Sequence, residues 1–288
     1  MKRVLLTGGR GMLGRSLCKA LNDFEVIATD LPETDITSPE KIAKTLDRYQ
    51  PDTVIHCAAM TAVDRCETEK ELAYLLNCTG SANVADACDA RGIRLIGIST
   101  DYVFDGDAGR PYRENDPATG GKTVYGQTKF AGEEEIRKRC KNHIIARISW
   151  LYGSGGPSFL HTMIQLADGT RPVLKVVDDQ RGNPTSTYAV ARGLRILLLH
   201  PELRGTFHLT CEGEATWYEF AREIFQELQI PQQLQPCSSA EFPRPAPRPA
   251  DSRLEKYNLR QSALPPMPHW KEALQEFLQL EFPEKFQK

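Results

Sequence analysis

A phenol and an ammonium spaced four residues apart are the groups in this chain best suited to act together. Tyr125-Gly126-Gln127-Thr128-Lys129 reads Y-x-x-x-K. On a helix, positions i and i+4 share a face, so both side chains project to one side. A free phenol loses its proton near pH 10, and an adjacent ammonium favours the phenolate, which predicts a lowered Tyr125 pKa. Moving it towards neutrality takes roughly 4 kcal/mol of differential stabilisation. A phenol tuned in this way is a general acid for a carbonyl oxygen that is receiving hydride. Upstream, Ile98-Ser99-Thr100-Asp101-Tyr102 closes an apolar strand, and the Thr100 hydroxyl is expected to hydrogen-bond the same oxygen. Alone, Y-x-x-x-K also describes a half-buried Tyr beside a solvated Lys, so the pair needs a hydride source nearby.

The N-terminus supplies one. Thr7-Gly8-Gly9-Arg10-Gly11-Met12-Leu13-Gly14 places glycines as G-x-x-G-x-x-G after a short apolar strand. Gly8 permits a tight turn, Gly11 lets backbone approach a pyrophosphate, and Gly14 lets helix pack on strand. The following helix offers free N–H groups and a positive dipole end to phosphate. Asp30 lies 22 residues beyond Gly8, where a carboxylate accepts the ribose hydroxyls of a bound adenosine. Its charge repels a 2′-phosphate and slightly favours NADH, while Arg10 beside it keeps NADPH open. The plainer readings are a ligand-free turn and an ordinary strand-end Asp.

These residues need a frame, and the first half of the chain predicts one by alternating strand and helix. Strands are expected at Val4–Leu6, Val26–Ala28, Thr53–Ala58, Leu95–Ser99 and Ile144–Ile148. Leu13, Leu17 and Leu21 line one helix face. A second helix is capped by Thr37 or Ser38 with Pro39 in its first turn. Leu72, Leu75 and Leu76 open a third that runs towards Cys88, and Tyr125 to Arg139 forms a fourth. Strands apolar throughout, separated by helices, predict an α/β fold with a doubly wound, Rossmann-like parallel sheet. Val173–Val177 reads as a sixth strand, Thr185–Leu199 as a helix, and Thr216 to Glu219 as a capping box opening another. Four prolines between 243 and 249 exclude helix interior and central strand. The expected division is a dinucleotide-binding domain over 1–150 and about 171–210. A smaller C-terminal substrate-binding region covers about 151–170 and 211–288.

Composition narrows the partners. Lys and Arg number 36 against 38 Asp and Glu, a net charge of −2, which argues against nucleic acid. No apolar run reaches membrane-spanning length, and the N-terminus enters a strand where a signal peptide would have its apolar core. Eight cysteines include no C-x-x-C pair, which predicts a reduced, cytoplasmic protein. The histidines show no H-x-x-x-H spacing, so metal catalysis is not expected.

Glycine turn, strand-end Thr and Y-x-x-x-K, in that order, resemble the extended short-chain dehydrogenase/reductases, and Asn77-Cys78-Thr79-Gly80 adds to the likeness. Within that group the runs CAAMTAVDRCE (57–67), STDYVFDG (99–106), VYGQTKFAGE (124–133), RISWLYG (147–153), VVDDQRGNPT (176–185) and RPADSRL (248–254) are similar to the dTDP-4-dehydrorhamnose reductase family. The resemblance implies NAD(P)H reduction of the 4-keto group of dTDP-4-dehydro-L-rhamnose. It also implies that Gly11, Met12 and Leu13 contact the pyrophosphate. Asp30, Asp35 and Ile36 would flank the adenosine end, and Ala59, Met60 and Thr61 the other side of the cofactor. It places Thr100, Asp101 and Trp150 at the sugar, Tyr125 as proton donor, and Lys129 on both Tyr125 and the nicotinamide ribose. Met60 and Asp251 depart from the residues common in the family. The family is also known with a divalent metal, often Mg²⁺, at a homodimer contact built from Glu side chains, but those residues do not map onto this sequence and neither metal nor interface is carried over.

A dehydratase of the same superfamily would carry Asp-Glu after the strand-end Thr, whereas Thr100 is followed by Asp101 and Tyr102. An epimerase of that superfamily and a non-catalytic, reductase-like regulatory subunit remain open at this point. Plainer expectations cover the remaining polar residues. His56 is a core or rim histidine and not a base, Arg147 an ion-pair residue, and Glu133-Glu134-Glu135 a solvated helix face. Trp217 and Tyr218 are core aromatics, and Arg248 either meets a substrate diphosphate or solvent.

Overall fold

The computed structural model describes residues 1–286. Its first half runs β1 (Arg3–Thr7), α1 (Met12–Ala20), β2 (Glu25–Thr29), α2 (Pro39–Tyr49), β3 (Thr53–His56), α3 (Val63–Thr68), α4 (Lys70–Tyr74), a π-helical turn (Leu75–Thr79), α5 (Gly80–Asp89), β4 (Arg94–Thr100), α6 (Val124–Arg139) and β5 (His143–Ile148). The second half continues with β6 (Leu151–Tyr152), α7 (Phe159–Leu166), β7 (Val173–Val177), β8 (Arg181–Gly182), β9 (Thr185–Ser186), α8 (Thr187–Leu199), β10 (Gly205–His208), β11 (Ala215–Thr216), α9 (Trp217–Glu227), β12 (Gln233–Cys237), α10 (Tyr257–Gln261) and α11 (Trp270–Glu281).

Six strands form one parallel sheet in the order β10-β5-β4-β3-β1-β2. Successive side chains alternate between its faces. Val4, Leu6, Ile55, Ile96, Ile144 and Ala146 join a core with α1, α8, α9 and α11. Leu5, Val54, Leu95 and Ile145 enter a second core with α2, α5 and α6. Both faces are therefore covered, which is why these strands are apolar without alternation. Chain order reverses between β1 and β3, opening a crevice at the strands' carboxyl ends.

The sixth strand differs from expectation. Val173–Val177 pairs with β12 in a separate two-stranded sheet, and β10 takes the edge of the main sheet beside β5. The physical cause is visible in β7 itself: Leu174 and Val176 are buried while Lys175 is exposed, so only one face is covered. The helix expected from Leu72 onward also differs. The π turn adds a residue to that helix, leaves Leu72 and Leu75 exposed, and directs Asn77 inward.

Caps set the helix starts. Ser38, Thr123 and Ser186 accept from the backbone N–H of Lys41, Gly126 and Ala189. Thr216 and Glu219 form the expected capping box. Glu133 is not on a solvated face: it is 2% exposed and takes two hydrogen bonds from Arg147, equally buried on β5. Arg137 adds a third at 2.7 Å, and the Arg147 guanidinium lies 4.9 Å from the Phe104 ring centroid. Burial alone would raise the Glu133 carboxyl, but the arginines outweigh it and hold it low. An arginine inside an apolar strand requires such a carboxylate. Glu133→Gln, which strands that guanidinium, is expected to cost about 3–5 kcal/mol in urea unfolding. A Glu133→Met/Arg147→Met double variant should recover much of the loss.

Candidate active site

The turn after β1 is built on close backbone approach. Gly8 has φ +67°, and a Cβ there would lie 2.8 Å from Ala58 Cα. A Cβ at Gly14 would lie 2.5 Å from the Gly9 carbonyl oxygen. Gly14 thus lets the helix close on its own turn, rather than on a strand as expected. No side chain caps the N-terminus of α1 at Gly11, although α2, α6, α8 and α9 each have a side-chain cap. Its first N–H groups fit an anionic pyrophosphate without displacing a cap.

A cavity of about 390 Å³ opens from this turn along the crevice. Its walls bring together Gly8, Gly11, Met12, Leu13, Asp30, Asp35, Ile36, Ala59, Thr61, Tyr125 and Lys129, all expected from the sequence. Gly14, Leu31, Thr34, Cys57, Ala58, Leu76, Ile98, Ser99, Ile148 and Leu151 complete it. Most of these are neighbours of the expected residues on the same loops, and the strand-end positions Ile98 and Ile148 carried a signal. Asp30 accepts from the backbone N–H of Arg10 at 3.2 Å and of Leu31 at 2.9 Å, which fixes its carboxylate at the rim. The Thr37 hydroxyl and N–H hold the Asp35 carboxyl below its ordinary value. Burial pushes the Cys57 thiol up to about 12. His56 is a core residue, bonded to the Thr7 and Ser81 hydroxyls and kept neutral by burial.

Met60 departs from its expected place. It is 7% exposed and packs with Cys66, Ala73 and Val124, while its neighbours Ala59 and Thr61 face the cavity. The cause is Asn77 in the π turn. Its Oδ1 accepts from Met60 N–H at 2.7 Å, and its Nδ2 donates to Met60 O and Thr128 Oγ1 at 3.0 Å. Thr128 sits between Tyr125 and Lys129, so one amide spaces the cavity loop from the helix that carries the phenol and the ammonium.

On α6, Lys129 Nζ donates to the Ile98 carbonyl at 2.7 Å. Burial lowers its pKa to about 8, with the Glu133 carboxylate one turn on opposing the fall. The expected lowering of Tyr125 is absent. Burial raises the phenol, the Thr100 hydroxyl pulls the other way, and Asp101 adds to the rise. In this low-dielectric site the desolvation of a phenolate is the largest cause of the shift. Thr100 and Asp101 are buried and do not line the cavity. Thr100 Oγ1 donates to Asp101 Oδ1, and Ser149 Oγ to Asp101 Oδ2, both at 2.9 Å.

Trp150, with φ +46°, also lies off this cavity, its ring stacked on Trp217. Trp217 is half-buried at the wall of a second cavity of about 560 Å³, not within the core. Phe159, Met163, Leu166 and Phe242 give that cavity apolar walls, and Lys175, Arg244, Arg248 and Asp64 also line it, with Lys175 paired to Glu241 at 2.7 Å. Arg248 pairs with both oxygens of the Asp64 carboxylate at 2.9 and 3.0 Å. All eight cysteines are unpaired thiols. Among the described residues, no three His, Cys, Asp or Glu side chains gather as a metal site.

A doubly wound parallel sheet, a glycine turn at its switch point and a phenol beside an ammonium in one crevice define a dinucleotide-binding fold of the short-chain dehydrogenase/reductase type. The chain belongs to the family described as the RmlD substrate binding domain, whose model matches residues 1–281. It is 42% identical over 282 residues to a dTDP-4-dehydrorhamnose reductase of Streptomyces griseus, covering 95% of this chain and 92% of that one. It is 41% identical over 281 residues to the spore coat polysaccharide biosynthesis protein SpsK of Bacillus subtilis, covering 97% and 98%. The crystal structure of a dTDP-4-dehydrorhamnose reductase from Bacillus anthracis in complex with NADP matches with a TM-score of 0.93 at 37% identity, covering 96% of this chain and 99% of that one.

Asn77→Ala leaves a buried Met60 N–H without a partner. It is expected to cost about 1–3 kcal/mol by chemical denaturation.

Proposed function

We propose that this protein is an NAD(P)H-dependent reductase that converts the 4-keto group of dTDP-4-dehydro-L-rhamnose to the alcohol, giving dTDP-L-rhamnose. The observation that carries the reading is the placement of Tyr125 and Lys129 in the wall of a cavity that begins at the uncapped N-terminus of α1. Bound reduced nicotinamide supplies the hydride.

Each residue role follows from position. Gly8, Gly11, Met12 and Leu13 receive the pyrophosphate. Asp30, Asp35 and Ile36 hold the adenosine end, and Ala59 and Thr61 face the cofactor across the crevice. Asp30 favours NADH, and Arg10, whose guanidinium donates to Leu31 O at 3.5 Å, lies close enough to the same rim to accept NADPH. The second cavity, with its apolar walls and with Arg244 and Arg248 in its lining, suits the nucleoside diphosphate half of the substrate. Raised by burial, the Tyr125 phenol keeps its proton at neutral pH and is a donor ready for the ketone oxygen. As C4 gains hydride, that oxygen becomes an alkoxide and takes the phenolic proton. The phenolate left behind is stabilised by the Lys129 ammonium. To donate to the same oxygen, the Thr100 hydroxyl must turn from Asp101, which keeps the Ser149 hydroxyl in exchange.

The direct test follows reduced-nicotinamide absorbance with the keto-sugar nucleotide and either coenzyme. Cofactor binding without oxidation by either would leave a non-catalytic binding subunit instead. Tyr125→Phe keeps the ring and removes the proton, so turnover should fall by about 10²–10⁴ with coenzyme affinity little changed. Near-normal turnover in that variant would remove Tyr125 from its role. Turnover should also fall as pH rises through about 8, where Lys129 loses its charge. A pH–rate profile of Lys129→Met should lack that limb.

A further inference from the structure

We propose that Trp217 is a further substrate-positioning residue, whose indole walls the nucleoside diphosphate cavity and holds Trp150 in place for the sugar. The inference rests on the reading above for the identity of the substrate.

Trp217 is the first residue of α9, and its backbone is fixed on both sides. The Thr216/Glu219 capping box precedes and follows it. The strand that delivers it, β11, pairs antiparallel with β8, setting Ala215 opposite Gly182 and Thr216 opposite Arg181. The ring is fixed as firmly. Its Nε1 donates to Gln180 Oε1 at 3.0 Å, and Gln180 Nε2 donates to Ser239 Oγ at 2.7 Å. Phe159 packs at 4.5 Å between centroids, tilted by 42°.

The Trp150 and Trp217 rings lie 3.4 Å apart and 2° from parallel. Trp150 is held by three features. Trp217 covers one face, Gly182 seats the indole so closely that a Cβ there would lie 2.2 Å from Cε2, and Trp150 Nε1 donates to Ser252 Oγ at 3.2 Å. A bulky residue in the left-handed backbone region persists only when its surroundings over-determine it. Burial raises the Asp101 carboxyl beside Thr100, and the Ser252 hydroxyl opposes that rise. A short chain of contacts thus joins the wall of the second cavity to the end of β4, by way of the two indoles. Of the two, Trp217 is the one that reaches the second cavity. Its flat, half-exposed surface, in a lining shared with Phe159, Met163, Phe242, Arg244 and Arg248, is complementary to a planar base carrying phosphates.

The test uses the full chain, with dTDP as the binding probe and NADPH oxidation for turnover. Trp217→Ala is expected to weaken dTDP binding and raise the KM of the keto-sugar nucleotide about tenfold, with NADPH affinity unchanged. Trp217→Phe, which keeps a flat ring, should recover most of both. Equal dTDP affinity in Trp217→Ala and wild type overturns the proposal, and so does a parallel loss of NADPH binding, which a packing role alone would give. Failure of the wild-type chain to bind dTDP overturns it as well. Wild-type dTDP binding without ketone reduction sinks the assigned reaction and leaves the Trp217 comparison decisive. A second readout is spectroscopic. Stacked indoles couple in near-ultraviolet circular dichroism, and the chain has three tryptophans. The couplet should survive Trp270→Phe, vanish in Trp150→Phe and Trp217→Phe, and change on saturation with dTDP. A couplet indifferent to dTDP counts against the assignment.

Discussion

One buried cation organises the crevice. Lys129 is 7% exposed, and a charged ammonium in such surroundings is tolerated only if its donors and its charge are answered. The Ile98 carbonyl at the end of β4 takes one hydrogen. The Glu133 carboxylate, one turn along α6, answers the charge, and is in turn held by Arg147 from β5 and by Arg137. This alternation of sign ties α6 to the carboxyl ends of two neighbouring strands. Tyr125, one turn before Lys129, then has little choice but to sit at the mouth of the switch point. The phenol's location is a consequence of where the lysine's charge can be accommodated.

The same constraint shows how far the amino-acid sequence discloses the site. The glycine turn, Asp30, the strand-end Thr100 and the Y-x-x-x-K pair are legible because each is a local pattern with a direct physical reading. Glu133 is not, because three consecutive glutamates read as a wetted surface. The missing clue is Arg147, an arginine within an otherwise apolar strand, which demands a buried acid from a neighbouring element. The direction of the Tyr125 shift escapes the sequence for a related reason. Spacing along a helix reports the nearest charge and says nothing about how much water remains, and here dehydration is the larger effect. Met60 and Asn77 are a third case, since a π turn leaves no distinct trace in composition.

In the fold, the first five strands are readable from runs apolar on both faces. The edge strand Gly205–His208 is not, because Gly-Thr-Phe-His lacks such a run and is placed by pairing with β5. Val-Leu-Lys-Val-Val reads as its substitute, though the central lysine already marks a ribbon with one wet side. The second half of the chain is built from two-stranded pairs and loops whose order depends on long-range contacts. Asp64, just after the loop that faces the cofactor cavity, accepts from Ala246 N–H and from Arg248, and so fastens the proline-rich segment 243–249 to the nucleotide-binding half. No local pattern announces that tie.

Cys57 gives the crevice a chemical property of its own. Its sulfur is part of the lining where reducing equivalents are expected to pass, yet burial keeps it in the protonated thiol form at physiological pH. Peroxides and alkylating agents attack thiolates. The lining therefore carries a sulfur that fills space as a small hydrophobe, held by burial in its less nucleophilic thiol form.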